Sequence, residues 1–239
     1  MASDFNHRAL LVSFSGLDGS GKSTQIASLT SQLHLVGLTT KHLAFWDNVV
    51  VGTKYREEFV HRAYGSEKGI GAPDKPVERR DKNVSKGYLT FARHALYFAD
   101  AMHLCSVVRR AMGSGADVVI MDRYIYDELA NLPLDNPLSQ RYVRTVQKMV
   151  PKPDVSYLLD ADPEEARKRK PEYPVDFMHK SRRKYFKLNA LLNNALTVIP
   201  PLPLEEAKVQ VVRAFMEAEQ ARRVLLDATK KRAGVSSAA

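Results

Sequence analysis

The segment Gly16-Leu17-Asp18-Gly19-Ser20-Gly21-Lys22-Ser23 constrains this chain more than any other. It satisfies the pattern G-x-x-x-x-G-K-[ST], follows the apolar run Leu10–Ser15 and precedes the helix-compatible stretch Lys22–Leu35. Between a strand and a helix, such a segment curls its backbone N–H groups around a polyphosphate. The glycines let the backbone close, the helix amino terminus favours negative charge, and the lysine reaches the β and γ phosphates. The hydroxyl that follows ligates Mg²⁺. Gly16, Gly19, Ser20, Gly21, Lys22, Ser23 and Thr24 are therefore the candidate nucleotide-binding residues. Lys22 is also a candidate catalytic group and Ser23 a metal ligand, and the implied cofactors are ATP and Mg²⁺.

Short apolar runs alternate with longer helical patterns along the chain, which predicts parallel strands joined by crossover helices. Strands are expected at Leu10–Ser15, Thr40–Phe45, Asp117–Met121, Val155–Leu159 and Leu196–Ile199. The class is α/β: a three-layer phosphate-loop NTPase fold, with a five-stranded parallel sheet, helices on both faces and a lid segment. Helices are expected over Lys22–Leu35, over Tyr88–Met112 (mostly buried), from Pro163 with Asp162 as its cap, and from Leu204 to about Asp227. Residues 1–228 read as a single domain and 229–239 as a flexible tail. Residues 65–87, rich in glycine, proline and charge, read as an insertion loop, either ordered and functional or mobile.

A net charge of +9 predicts an anionic partner: nucleic acid, acidic lipid or phosphorylated small molecules. The single cysteine, Cys105, excludes an intramolecular disulfide and a thiolate metal cluster. The histidines form no H-E-x-x-H pattern, which excludes that class of metal-dependent hydrolase. No run approaches the roughly 18–20 apolar residues of a membrane-spanning helix, so a soluble, cytoplasmic protein without a membrane partner is expected.

Val118-Val119-Ile120-Met121-Asp122 is an apolar strand ending in an acid, the expected second contributor to the magnesium shell. Hydrolysing motors commonly place a glutamate next to orient water, but here Arg123 follows, a planar donor suited to phosphate. That order favours phosphoryl transfer over hydrolysis. A basic run from Arg167 to Lys170, resumed at Lys180, Arg182, Arg183 and Lys184, reads either as a lid that closes over ATP or as a solvated helix face.

Taken together, Phe14 to Gln25, Asp122-Arg123-Tyr124, and Pro153-Asp154-Val155 with Leu159-Asp160 and Pro163-Glu164-Glu165-Ala166-Arg167 resemble the thymidylate kinases. These belong to the nucleoside monophosphate kinase branch of the phosphate-loop fold. Asp176-Phe177 and Arg182 with Tyr185 resemble the far side of that family's lid, which here spans approximately 167–185. The resemblance implies transfer from ATP to a nucleoside monophosphate, most directly dTMP, by a homodimer. It gives Asp18 and Arg123 a role at the acceptor and in catalysis, and Arg167 a catalytic role on the lid. It gives Phe45, Phe98 and Tyr124 a substrate-binding role and Asp122 a metal-binding one. Two positions depart from the pattern: Asn48 and Met102 stand where the family carries arginines. His94, one helical turn before Phe98, is either a substitute for the second arginine or a half-buried structural histidine. Arg79 and Arg80 are candidate replacement cations. The alternatives are a kinase of the same fold with another acceptor (a different nucleotide, a nucleoside or a phosphorylated metabolite) and, further off, a nucleotide switch or DNA-acting ATPase. The chain has no [NT]-K-x-D motif and no recognisable nucleic-acid module, so no nucleic-acid partner is expected.

Overall fold

Five short strands form one parallel sheet in the order β2-β3-β1-β4-β5 in the computed structural model. The structure describes residues 8–51 and 87–236. The strands are β1 (Leu10–Gly16), β2 (Thr40–Ala44), β3 (Val118–Asp122), β4 (Val155–Leu159) and β5 (Thr197–Ile199). Each lies within a residue or so of its expected position, because a strand covered on both faces must be apolar along its whole length. The expected loop at 65–87 lies outside the described residues but for Gly87, and Arg79 and Arg80 lie outside with it.

Two apolar layers sandwich the sheet. On one face Ile26, Leu29 and Leu33 of α1 (Lys22–Leu35) pack with Val211 and Phe215 of α8 (Leu204–Ser236) against Val12, Phe14 and Tyr157. Phe14 stacks on Tyr157 with ring centroids 4.7 Å apart, and the Tyr157 hydroxyl donates to Val211 O at 2.6 Å. The opposite face is covered by α3 (Gly87–Met112), α4 (Ile125–Leu129), α5 (Pro137–Met149) and α7 (Val175–Leu191), which meet around Leu11, Val119 and Met121.

The helix α6 (Pro163–Arg169) starts as expected, with Asp162 accepting from the Glu164 and Glu165 N–H groups, both at 3.1 Å. Two expectations need correction. The long helix α3 is not mostly buried: Tyr97, Ala101, Leu104, Val108 and Ala111 form a buried stripe, while Leu96, Phe98 and Met102 lie 42%, 43% and 51% exposed. Alternating steps of four and three residues put the buried set on one helix face, and the described residues cover that face only. The last helix runs beyond Asp227 to Ser236, since its later residues are mostly helix formers without glycine or proline until Gly234. The short α2 (Phe45–Asn48), α4, α5 and α7 are additions to the sequence reading. No helix among the described residues is long and apolar enough to cross a membrane.

Candidate active site

The site forms at the carboxyl ends of the central strands, where Gly16 pairs in register with Leu159, and Phe14 and Ala44 with Asp122. Parallel α/β sheets place ligands at this edge. The loop from Gly16 to Gly21 turns directly into α1, and two of its glycines are sterically required. A Cβ on Gly16 would lie 2.4 Å from Leu159 O, and one on Gly19 2.2 Å from Ala166 O, both at positive φ. The second contact means that α6 rests directly on the loop.

Lys22 is buried, its Nζ donating to Gly16 O at 3.0 Å and Leu17 O at 2.7 Å. Burial and then the nearby Arg123 push its pKa down to about 7, against the opposing pull of Asp18, Asp127 and Asp122. Ser23 and Asp122 line one open groove with Asn48, whose Oδ1 accepts from the Ala44 N–H at 2.8 Å. Asp122 Oδ1 is buried without a hydrogen-bond partner among the described residues, as is Ser20 Oγ. A buried orphan carboxylate oxygen beside a hydroxyl suits a hard cation that takes most of its oxygens from phosphate and water. The residues present therefore fit Mg²⁺.

Arg123 adopts a left-handed backbone, φ 67°, with its N–H on Phe14 O at 2.9 Å. That unfavourable conformation turns the guanidinium back toward the loop, where it is held between two carboxylates. Nη1 donates to Asp127 Oδ1 at 2.9 Å and Nη2 to Asp18 Oδ1. Burial works against the charge, but Asp18 and Asp127 outweigh it and the pKa is raised, so Arg123 stays cationic. Asp127 is the hub that sequence reasoning missed. Its Oδ2 accepts from Ser15 Oγ at 2.7 Å and the Tyr124 N–H at 3.2 Å, and its Oδ1 also accepts from Tyr185 Oη at 2.8 Å. The available signal was an acid four residues after Arg123 inside an apolar stretch.

On the lid, Arg167 donates to Tyr173 O and so fastens the turn between α6 and α7. Arg182 forks onto Asp160 at 2.7 and 2.6 Å and fastens α7 to the end of β4. The lid cation facing the loop is instead Lys170, 3.7 Å from Asp18 Oδ1 and 3.2 Å from Glu172 Oε1. Across from Asp18 and Arg123, the lid presents Tyr173, Phe177, Met178, Lys184 and Tyr185. The cleft between them measures about 30 Å³, room for a water or two.

The remaining expected residues scatter. Thr24 is exposed on α1. Tyr124 is fully buried with its hydroxyl on Pro151 O, and Phe45 is fully buried in the core. Neither lines the cleft beside Asp18, and nor does the exposed Phe98. The His94 ring stands edge-on to Tyr142 at 4.5 Å, with Nε2 3.4 Å from Ser139 Oγ and its carbonyl accepting from the Tyr142 hydroxyl. These contacts describe a histidine that joins α3 to α5.

Comparison with known proteins agrees with the geometry. The profile of the family described as thymidylate kinase matches residues 81–211. The chain is 31% identical over 201 residues to a thymidylate kinase of Bifidobacterium longum subsp. infantis, covering 80% of this chain and 78% of that one. It is 30% identical over 169 residues to a thymidylate kinase of Caenorhabditis elegans, covering 71% and 70%. The fold is similar to that of thymidylate kinase from Candida albicans, with a TM-score of 0.60, 20% identity, and coverage of 89% of this chain and 93% of that one.

Proposed function

This chain belongs to the thymidylate kinase family, and we propose that it transfers the γ-phosphoryl group of ATP to the phosphate of dTMP, giving dTDP and ADP. The observation that carries the reading is Arg123, clamped between Asp18 and Asp127 where the phosphate-binding loop meets the lid. A fixed guanidinium at that junction suits two phosphates brought end to end, and no glutamate follows Asp122 to activate water.

The acceptor phosphate is already anionic, so the chain needs no general base, and its task is positioning and electrostatics. In this mechanism Lys22 exchanges the Gly16 and Leu17 carbonyls for the β and γ phosphates, while the loop N–H groups cradle the same anion. Arg123, held in orientation by its two carboxylates, meets the charge between donor and acceptor. Lys170 approaches as the lid closes, and the seat of α6 on Gly19 excludes water from the transferring group. Ser23 and Asp122 would hold Mg²⁺, which would supply electrostatic stabilisation of the phosphate charge that develops on transfer. A homodimer at a cytoplasmic location belongs to the same reading, the exposed Leu96, Phe98 and Met102 of α3 being the apolar surface that a second copy would cover.

The test is a coupled assay with Mg-ATP and a panel of dTMP, dUMP, the other monophosphates and thymidine, with a control lacking acceptor. Turnover fastest with dTMP is expected. Turnover confined to another acceptor, or ATP hydrolysis independent of acceptor, would overturn the reading.

A further inference from the structure

The cleft beside Asp18 has two chemically different ends. One is made by the phosphate-binding loop with Asp18 and Arg123, and it is where charge meets charge. The other is organic: Tyr173 and Phe177, stacked at 4.8 Å, with Met178 beside them. Lys184 belongs to that second end.

Phe177, Ser181 and Lys184 succeed one another at steps of four and three along α7 and so share a face, and all three line the cleft. Two neighbouring cations of α7 are matched to carboxylates, Arg182 to Asp160 and Lys187 to Asp135, while Lys180 and Arg183 have no such partner among the described residues and do not line the cleft. Lys184 has none either: among the described residues no carboxylate lies within ion-pair distance of its ammonium. Its one hydrogen bond is a long contact, 3.5 Å, to the backbone carbonyl of Asn131. Half-burial, then Lys180 and Arg93, lower its pKa, the mark of an ammonium short of acceptors. An ammonium carries three donors and no acceptor, and a half-buried one left with a single weak partner is poised to take an oxygen from a ligand.

We propose that Lys184 determines specificity for the acceptor base, donating to a ring keto oxygen at the position where cytosine carries an amino group. The inference rests on the function proposed above. The same ammonium repels an exocyclic amine, since both groups are donors, so a keto pyrimidine is accepted and an amino pyrimidine rejected. Tyr173 and Phe177 supply the flat apolar wall that such a base needs.

The experiment compares wild type, Lys184→Met and Lys184→Arg with dTMP and dCMP as acceptors, following KM and kcat separately, with thermal unfolding to confirm that each variant folds. For Lys184→Met, the KM for dTMP is expected to rise about 10–100-fold while the KM for ATP is unchanged, and the preference for dTMP over dCMP to shrink by a similar factor. Lys184→Arg, which keeps a charged donor, is expected to restore part of both. A wild type that turns over dTMP beside a Lys184→Met variant with unaltered KM, or with an unaltered dTMP-to-dCMP ratio, overturns this inference and leaves the kinase reading intact. A wild type that does not turn over dTMP overturns both.

Discussion

The hydroxyl of Tyr185 on the lid helix α7 donates to Asp127 Oδ1 at 2.8 Å, the same oxygen that receives Arg123 Nη1. One carboxylate thus orients Arg123 and ties α7 to it. Burial first, and then Asp127, raise the Tyr185 pKa well above the usual phenol value, so it stays a donor. Ser15 Oγ and the Tyr124 N–H fill the remaining oxygen, which leaves Asp127 fully engaged inside the protein.

Tyr185→Phe removes the donor while preserving the ring that packs in the core. The loss expected is about 1–2 kcal/mol of stability, because Asp127 Oδ1 keeps the charged partner and loses the neutral one. Urea unfolding monitored by circular dichroism checks the magnitude. An unchanged midpoint would show that the anchor contributes nothing.

Arg123→Lys tests whether geometry or charge matters at the phosphates. A lysine keeps the cation but cannot bridge Asp18 and Asp127 with a planar fork, and it must still tolerate the left-handed backbone at φ 67°. A fall of about 10²–10³-fold in kcat is expected, with KM for ATP little altered, as for the loss of a donor aimed at transition-state charge. Steady-state kinetics with varied ATP and dTMP separate the two parameters.

How much of this was legible in the sequence follows from the range of each interaction. The phosphate-binding loop, the Asp162 cap and all five strands rest on local chemistry, and each was readable where it stands. The lid's internal fastenings were not, because Arg167 and Lys170 are both basic residues on one short run. Only the fold shows that Arg167 reaches back to Tyr173 O and Lys170 forward to Asp18. Asp127 was overlooked for the same reason: its partners Ser15 and Tyr185 lie far away in the chain and converge only once α4 packs under β1. Phe45 and Tyr124 carry a substrate-binding role by resemblance, and the structure places both fully buried in the core, a burial set by tertiary packing that no local pattern reveals.

The lowered pKa of Lys22 makes two pH dependences. The unfolded chain holds this proton up to about 10.5 and the folded chain only to about 7, so between these values the unfolded state binds more protons and stability rises with pH. Phosphate binding favours the charged lysine, so ATP binding takes up a proton above pH 7, and affinity is expected to fall by up to about tenfold per pH unit there. Calorimetric titrations in buffers of different ionisation enthalpy measure the proton uptake directly, and Lys22→Met is expected to abolish it.

Gly19→Ala probes the contact between loop and lid. The added methyl would sit 2.2 Å from Ala166 O at a backbone φ of 80°, so either the loop or α6 must shift. The loop is fixed by β1 behind it and α1 ahead of it, whereas α6 belongs to the lid of the proposed mechanism, so α6 is expected to yield. A lid held off its seat admits water to the transferring group and withdraws Lys170 from Asp18. Transfer to dTMP is expected to fall by about 10–100-fold, by analogy with small displacements of positioning groups elsewhere. ATP hydrolysis in the absence of acceptor is expected to hold or rise, because a lid off its seat no longer keeps water from the nucleotide. Measuring both rates on the same preparation gives the ratio of hydrolysis to transfer. A ratio that stays at the wild-type value would mean that α6 does not seal the site.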